Sequence, residues 1–271
     1  MALFDTHCHL QAERIHQSLD SILDNAFQAA VSRMVCCGST AEDWPEVRDI
    51  ALRYPQVLPA FGLHPFYVDL APNNWLTSLK EYLQHIPSLV GEIGLDLMLA
   101  KSSITNQLCA FESQLALAIE LKRPVCIHCL NAWHYLLPIL NTYQHPQVPI
   151  QIHSYSGGPK LVDQLLNLNC YFSFSCSLTR TKNHKAHQAI QIIPINRILI
   201  ETDAPDIPPE QNGKVDFSIP NEPANLRLVL NKAASLLNMD TTLLETQLWQ
   251  NTLTFLSLLV PSCPDSPECP V

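Results

Sequence analysis

Near the start of the chain stands Asp5-Thr6-His7-Cys8-His9, a D-x-H-x-H run on an apolar segment. Alternate residues of a strand face one way, so Asp5, His7 and His9 share a side. Two neutral imidazoles pointing together can hold a divalent cation through their ring nitrogens. An isolated H-x-H pair is a weak signal. It gains weight from other residues placed where strands are expected to end. These are His64 in Gly62-Leu63-His64-Pro65, Glu92 in Gly91-Glu92-Ile93-Gly94-Leu95-Asp96, His128, His153, and Asp203 in Glu201-Thr202-Asp203-Ala204-Pro205.

The set His7, His9, Glu92, His128, His153 and Asp203 offers four imidazoles and two carboxylates. A single zinc site is filled by three or four protein ligands, so this set suits two divalent ions. A carboxylate shared by both ions makes a water nucleophile available near neutral pH. Mixed nitrogen and oxygen donors fit Zn, Mn, Co or Fe, with partly hydrated Mg as a further candidate. Each residue also has a plainer explanation. A lone His at a strand end is more often a hydrogen-bonded core or loop residue. Asp203 could cap the segment after it. Asp5, at the beginning of its strand, is expected to orient an imidazole rather than ligate. Glu92 is costly to bury inside an apolar strand without a partner. The joint pattern across five strands is what argues against chance.

Eight β-branched or aromatic runs could position these groups: Leu3–His9, Arg33–Cys37, Val57–His64, Leu89–Asp96, Val125–Cys129, Pro149–Ser154, Tyr171–Ser175 and Arg197–Asp203. Between them lie helix-periodic stretches. Leu19, Ile22, Leu23, Ala26, Phe27 and Ala30 mark one apolar stripe, and Leu108, Phe111, Leu115 and Ala118 another. Further helices are expected near Pro223–Leu237 and Thr241–Leu259. This alternation predicts an α/β chain folded as a (β/α)8 TIM barrel, whose strands converge at one C-terminal mouth. A doubly wound sheet is the alternative, but no glycine-rich phosphate loop opens a first helix. One domain over residues 1–260 is expected, with a Pro-rich, disordered tail over 261–271.

Composition narrows the function. The 271 residues are 47% hydrophobic and 15% charged, which describes a well-buried globule without a membrane span. The opening residues lack a basic leader and meet Asp and His at once, so a cytoplasmic protein is expected. Its ten cysteines then read as reduced, buried thiols. The C-x-x-C of Cys126 and Cys129 is read as structural, because positions i and i+3 of a strand face opposite ways. A formal charge of −9 argues against broad capture of duplex DNA, though not against an enzyme acting on a chain end.

These motifs resemble those of the TatD family of metal-dependent deoxyribonucleases, within the amidohydrolase-like barrels. The likeness runs from Asp5 to about Phe255. It rests on Asp5–Leu10, Gly62–Pro65, Gly91–Asp96, the following helix with Gln107, Phe111, Gln114 and Leu115, and Pro124–His128. His153 with Gly157, Glu201–Pro205 and Asn221-Glu222-Pro223 complete it in order. The resemblance implies a two-metal site bridged by Glu92, with His7, His9 and Asp203 on one ion and His128 and His153 on the other. It implies that His64 contacts the scissile phosphate and that Asp203 accepts a proton from the attacking water. It further implies 3′-5′ exonuclease action on single-stranded DNA or DNA ends by a monomer. Hydrolysis of a small amide, ester or lactone, or of D-aminoacyl-tRNA, is the alternative. Two departures remove phosphate contacts: Cys129-Leu130-Asn131 stand where many members carry Ser-Arg-Asp, and Pro220 replaces a frequent basic residue. Arg180, Lys182 and Lys185, with His184 and His187, could compensate from the loop after strand 7.

Overall fold

Runs such as Val31–Cys37 and Val125–Leu130 are rich in residues that suit a pleated surface. In the computed structural model, which describes residues 2–98, 101–143 and 148–259, they form one parallel sheet. Its strands are β1 (Leu3–Cys8), β2 (Val31–Cys37), β3 (Val57–Phe61), β4 (Leu89–Asp96), β5 (Val125–Leu130), β6 (Ile150–Ile152), β7 (Cys170–Phe174) and β8 (Ile198–Ile200). Each pairs with the next in chain order. The helices are α1 (Glu13–His16), α2 (Leu19–Gln28), α3 (Trp44–Arg53), α4 (Trp75–His85), α5 (Ile104–Glu120), α6 (Trp133–Thr142), α7 (Val162–Leu166), α8 (His184–Ile190), α9 (Leu226–Leu237) and α10 (Thr241–Phe255). Among the described residues, no helix is long and apolar enough to cross a membrane. The tail 261–271 lies outside the described residues.

Strand alternation sorts the side chains into two cores. Leu3, Met34, Cys36, Val125, Ile127, Cys129, Ile198 and Ile200 pack outward with the helices. Phe4, Val35, Cys37, Ala60, Leu89, Cys126, Tyr171 and Leu199 gather separately, with Phe255 at the end of the last helix and Leu256 after it. Cys126 and Cys129 therefore do face opposite ways. Burying these faces is the main stabilising term, at about 25 cal/mol for each Å² of apolar surface removed from water.

The β8–β1 seam closes beyond the ladder. Asp203 N–H donates to the His7 carbonyl at 3.0 Å, and His9 N–H to the Ala204 carbonyl at 2.7 Å. Across the same seam, the buried Asp5 carboxylate accepts from the Thr202 N–H at 2.9 Å and from the Thr202 hydroxyl. Asp5 thus steers the segment carrying Asp203, not an imidazole as expected.

Other expectations need smaller corrections. The ladders stop short of the functional residues: β3 ends at Phe61, β6 at Ile152 and β8 at Ile200, so His64, His153 and Asp203 lie beyond them. Asp203 has φ +61°, a left-handed conformation that a strand does not accommodate. Phe27 is 71% exposed and drops out of the α2 stripe, because it falls on the far edge of the helix. The last helix ends at Phe255 rather than Leu259.

Gly94 shows how tightly β4 and β5 are fitted. Its φ is +149°, and a Cβ there would lie 1.9 Å from the His128 carbonyl oxygen. Gly94→Ala is expected to cost about 3 kcal/mol or more, through both strain and displacement of β5. Urea denaturation of the variant beside the parent measures it.

Candidate metal centre

The six expected ligands converge although they span residues 7 to 203. His7 Nε2 and His9 Nε2 lie 3.1 Å apart. Each is 3.5 Å from Glu92 Oε2 and 3.6 Å from Asp203 Oδ1. The other Glu92 oxygen, Oε1, lies 3.1 Å from His128 Nδ1 and 2.8 Å from His153 Nε2. Those two nitrogens are 3.1 Å apart. One carboxylate therefore stands between two imidazole pairs.

Tautomers follow from what the outer nitrogens meet. His9 Nδ1 lies 2.7 Å from the Cys37 carbonyl oxygen, an acceptor, so this nitrogen carries the proton. His128 Nε2 lies 2.9 Å from Asp96 Oδ2, and His153 Nδ1 lies 3.2 Å from Glu201 Oε1. The inner nitrogens of these three are then lone pairs aimed at carboxylate oxygens. Acceptors facing acceptors repel unless a cation lies between them. Tetrahedral donors about 2.0–2.1 Å from a metal stand roughly 3.3 Å apart. The observed separations of 3.1 to 3.6 Å in the first group match that edge, so the residues fit a metal ion.

Without a metal, protons take its place. Burial opposes charge on His153, but Glu92 and Glu201 outweigh it and raise its pKa to about 10. Burial likewise opposes charge on His9 and His128. Asp203 and Glu92 raise the first, and Asp96 and Glu92 the second. On His7, the Cys37 sulfur and Glu92 overcome burial and hold the imidazole well above its ordinary value. Burial pushes the carboxylates up, yet His153, His64 and His7 bring Glu92 well below its usual range. Contacts with His9, His153 and His7 lower Asp203 to about 2.

His64 differs in kind. Its Nδ1 accepts the Phe66 N–H at 3.2 Å, which leaves the proton on Nε2, 3.6 Å from Glu92 Oε1. Burial outweighs Glu92 and lowers its pKa to about 3, so this ring is a neutral donor at the mouth.

Comparison with known proteins shows the family and the fold. The family model described as TatD related DNase matches residues 4–257. The chain belongs to the TatD family. The "uncharacterized metal-dependent hydrolase YabD" of Bacillus subtilis is 30% identical over 241 residues, covering 88% of this chain and 92% of that one. The "3'-5' ssDNA/RNA exonuclease TatD" of Klebsiella pneumoniae is 28% identical over 264 residues, 94% of this chain and 98% of its own. The crystal structure of YjjV, a TatD homologue from Escherichia coli, superposes with a TM-score of 0.87. It is 26% identical and covers 93% of this chain and 97% of that one. The chain is a metal-dependent hydrolase on a TIM barrel.

Four further residues support this TatD-family site. Glu201 is fully buried and also accepts the Ser154 N–H at 2.6 Å and the Gln151 amide at 2.8 Å. Gln114 of α5 clamps the Leu63 peptide, accepting its N–H at 2.7 Å and donating to its carbonyl at 3.1 Å. Gln107 holds the Asp96 peptide in the same way, at 2.9 and 3.0 Å. Asn221 donates to the Thr202 carbonyl at 2.9 Å and to the Asp206 carbonyl at 2.9 Å, fixing the loop after β8. All four, and Asp96 beside them, stood inside motifs of the sequence, but none was given a role. Their amide and carboxylate chemistry, buried beside the predicted ligands, was the available signal.

These charges set a pH dependence for the metal-free protein. The raised pKa of His153 contributes stability fully present below the ordinary value of 6.5 and lost as pH rises through about 10. The lowered pKa of Asp203 contributes stability present above 3.8 and lost as pH falls through about 2. The chelated protein is therefore expected to be most stable between these windows, near pH 4 to 6.5. Zn or Mn in hundredfold excess over Kd should raise Tm by about 5 °C or more per ion. At a fixed metal concentration the gain should grow from pH 6.5 upward, since metal replaces protons and Kd falls. Calorimetry across pH with and without metal checks both.

Proposed function

We propose that the chain is a two-metal phosphodiesterase that removes nucleotides from the 3′ end of single-stranded nucleic acid, DNA foremost. The observation that carries this reading is the divided Glu92 carboxylate, with Oε2 toward His7 and His9 and Oε1 toward His128 and His153. His7, His9 and Asp203 would hold one ion, His128 and His153 the other, and Glu92 both. Glu92, Asp96, Glu201 and Asp203 carry a formal charge of −4, which two divalent ions balance and one does not. Bound ions would supply water activation and charge stabilisation on the phosphate.

The residues of the chain do the remaining work. Asp96 and Glu201 hold two imidazoles with their lone pairs turned inward. His64 presents its Nε2 proton to a phosphate oxygen, which a neutral imidazole can do without competing for metal. Asp203 takes the proton of the attacking water. The Klebsiella relative named as an exonuclease supports the polarity and substrate class. The acidic chain, with Leu130 and Asn131 at the end of β5, favours weak, end-directed binding over broad contact with the backbone.

Purified protein with Mn or Mg is expected to shorten 5′-labelled single strands progressively and to release 3′ label first as mononucleotide. Chelation should stop this. Glu92→Gln or His128→Ala should slow it by about 10³-fold, and His64→Ala by about 10²-fold. Equal digestion by the Glu92 and His128 variants, or turnover only of lactones, acyl esters or aminoacyl-tRNA, would sink the proposal.

A further inference from the structure

Three of the four clustered imidazoles rest their outer nitrogen on oxygen: His9 on the Cys37 carbonyl, His128 on Asp96 and His153 on Glu201. His7 rests on sulfur. Its Nδ1 lies 3.0 Å from Cys126 Sγ and 3.4 Å from Cys37 Sγ. The sulfurs come from β5 and β2, which are not neighbours in the sheet, and both side chains are fully buried. All three donor atoms lie within 4.8 Å of one another.

Imidazoles that bind metal normally donate their outer N–H to oxygen, and a thiol sulfur is a weak acceptor. Cys37 and Cys126 belong to the inner core, and within it both sulfurs lie against one nitrogen. Two thiols and one imidazole are a donor set that soft cations prefer. Tetrahedral coordination with about 2.3 Å to sulfur and 2.0 Å to nitrogen spaces sulfur and nitrogen roughly 3.5 Å apart. The observed contacts approach that spacing, and a retreat of a few tenths of an ångström by Cys126 completes it.

We infer that Cys37, Cys126 and His7 Nδ1 form a buried site for a thiophilic cation, one layer beneath the Glu92 cluster. On binding, the cation forms two bonds to sulfur and displaces the two thiol protons to solvent. When His7 holds an upper ion through Nε2 its one proton is on Nδ1, so binding the lower cation through Nδ1 requires that proton to move to Nε2. That transfer removes the lone pair His7 directs toward Glu92 and Asp203. Occupancy below therefore weakens metal binding above, without any rotation of the ring. The inference holds whether or not the chain acts on nucleic acid.

Cadmium is the probe. Cys109 is exposed, and Cys263 and Cys269 lie in the Pro-rich tail, so a parent with all three changed to Ser limits thiols elsewhere. Titrating the Mn-loaded parent should raise a thiolate-to-cadmium absorption band that saturates at one equivalent. Cys37→Ala and Cys126→Ala should each abolish it. Bound Mn, measured by mass spectrometry, should fall as the band rises. X-ray absorption at the cadmium edge of the parent should show two sulfur neighbours, a readout that does not depend on the variants folding. Only oxygen and nitrogen neighbours, or a band surviving in the Cys37→Ala, Cys126→Ala double variant, would overturn the site. A constant Mn content would overturn the sharing of His7.

Discussion

The structure depends on a convergence of lone pairs that the chain cannot neutralise by itself. Around Glu92, imidazole nitrogens and carboxylate oxygens approach within 2.8 to 3.6 Å while their outer atoms are already committed to other partners. Such an arrangement is unfavourable unless positive charge enters it. The raised imidazoles and lowered carboxylates express the same demand in protons. A (β/α)8 barrel tolerates this because its strands and helices bury an extensive apolar core around the cluster, and the polar groups beneath it, Thr6, Gln151 and Ser173, are hydrogen-bonded.

Support for the cluster comes from side chains that hold backbone rather than metal ligands. Gln114 and Gln107 project from one helix and pair with the peptides of Leu63 and Asp96, next to His64 and at the end of β4. Each amide offers a donor and an acceptor to the backbone of one residue, which fixes both position and orientation. Asp5 and Asn221 do the same for the segment carrying Asp203. These are buried polar contacts made in full, which is the condition for their being stabilising rather than costly.

Much of this was legible in the sequence. The eight strands could be read because β-branched runs recur at spacings too short for anything else, and the ligand set because its members sit at their ends. The strand ends themselves were overread: His64, His153 and Asp203 look like terminal strand residues, but each has left the ladder, as the positive φ of Asp203 illustrates. Period-two alternation set Cys126 and Cys129 on opposite faces, yet it could not say that the Cys126 sulfur meets Cys37 at one imidazole nitrogen. Which atom an imidazole presents depends on partners distant in sequence, such as Glu201 for His153. Asp5 was misjudged for the same reason, since its partner Thr202 is 197 residues away.

The two halves of the cluster are not equal in how they come into being. Glu92 and His128 lie on β4 and β5 and His153 directly follows β6, consecutive strands that leave the ribosome together and pair locally. His7, His9 and Asp203 meet only across the β8–β1 seam, the last junction of a chain made from its amino end. The first group needs only β4 to β6 paired, while the second requires the ring to be shut. Occupation of the His7, His9 and Asp203 corner is thus a chemical signature of completed topology, with nearly the whole polypeptide as its prerequisite.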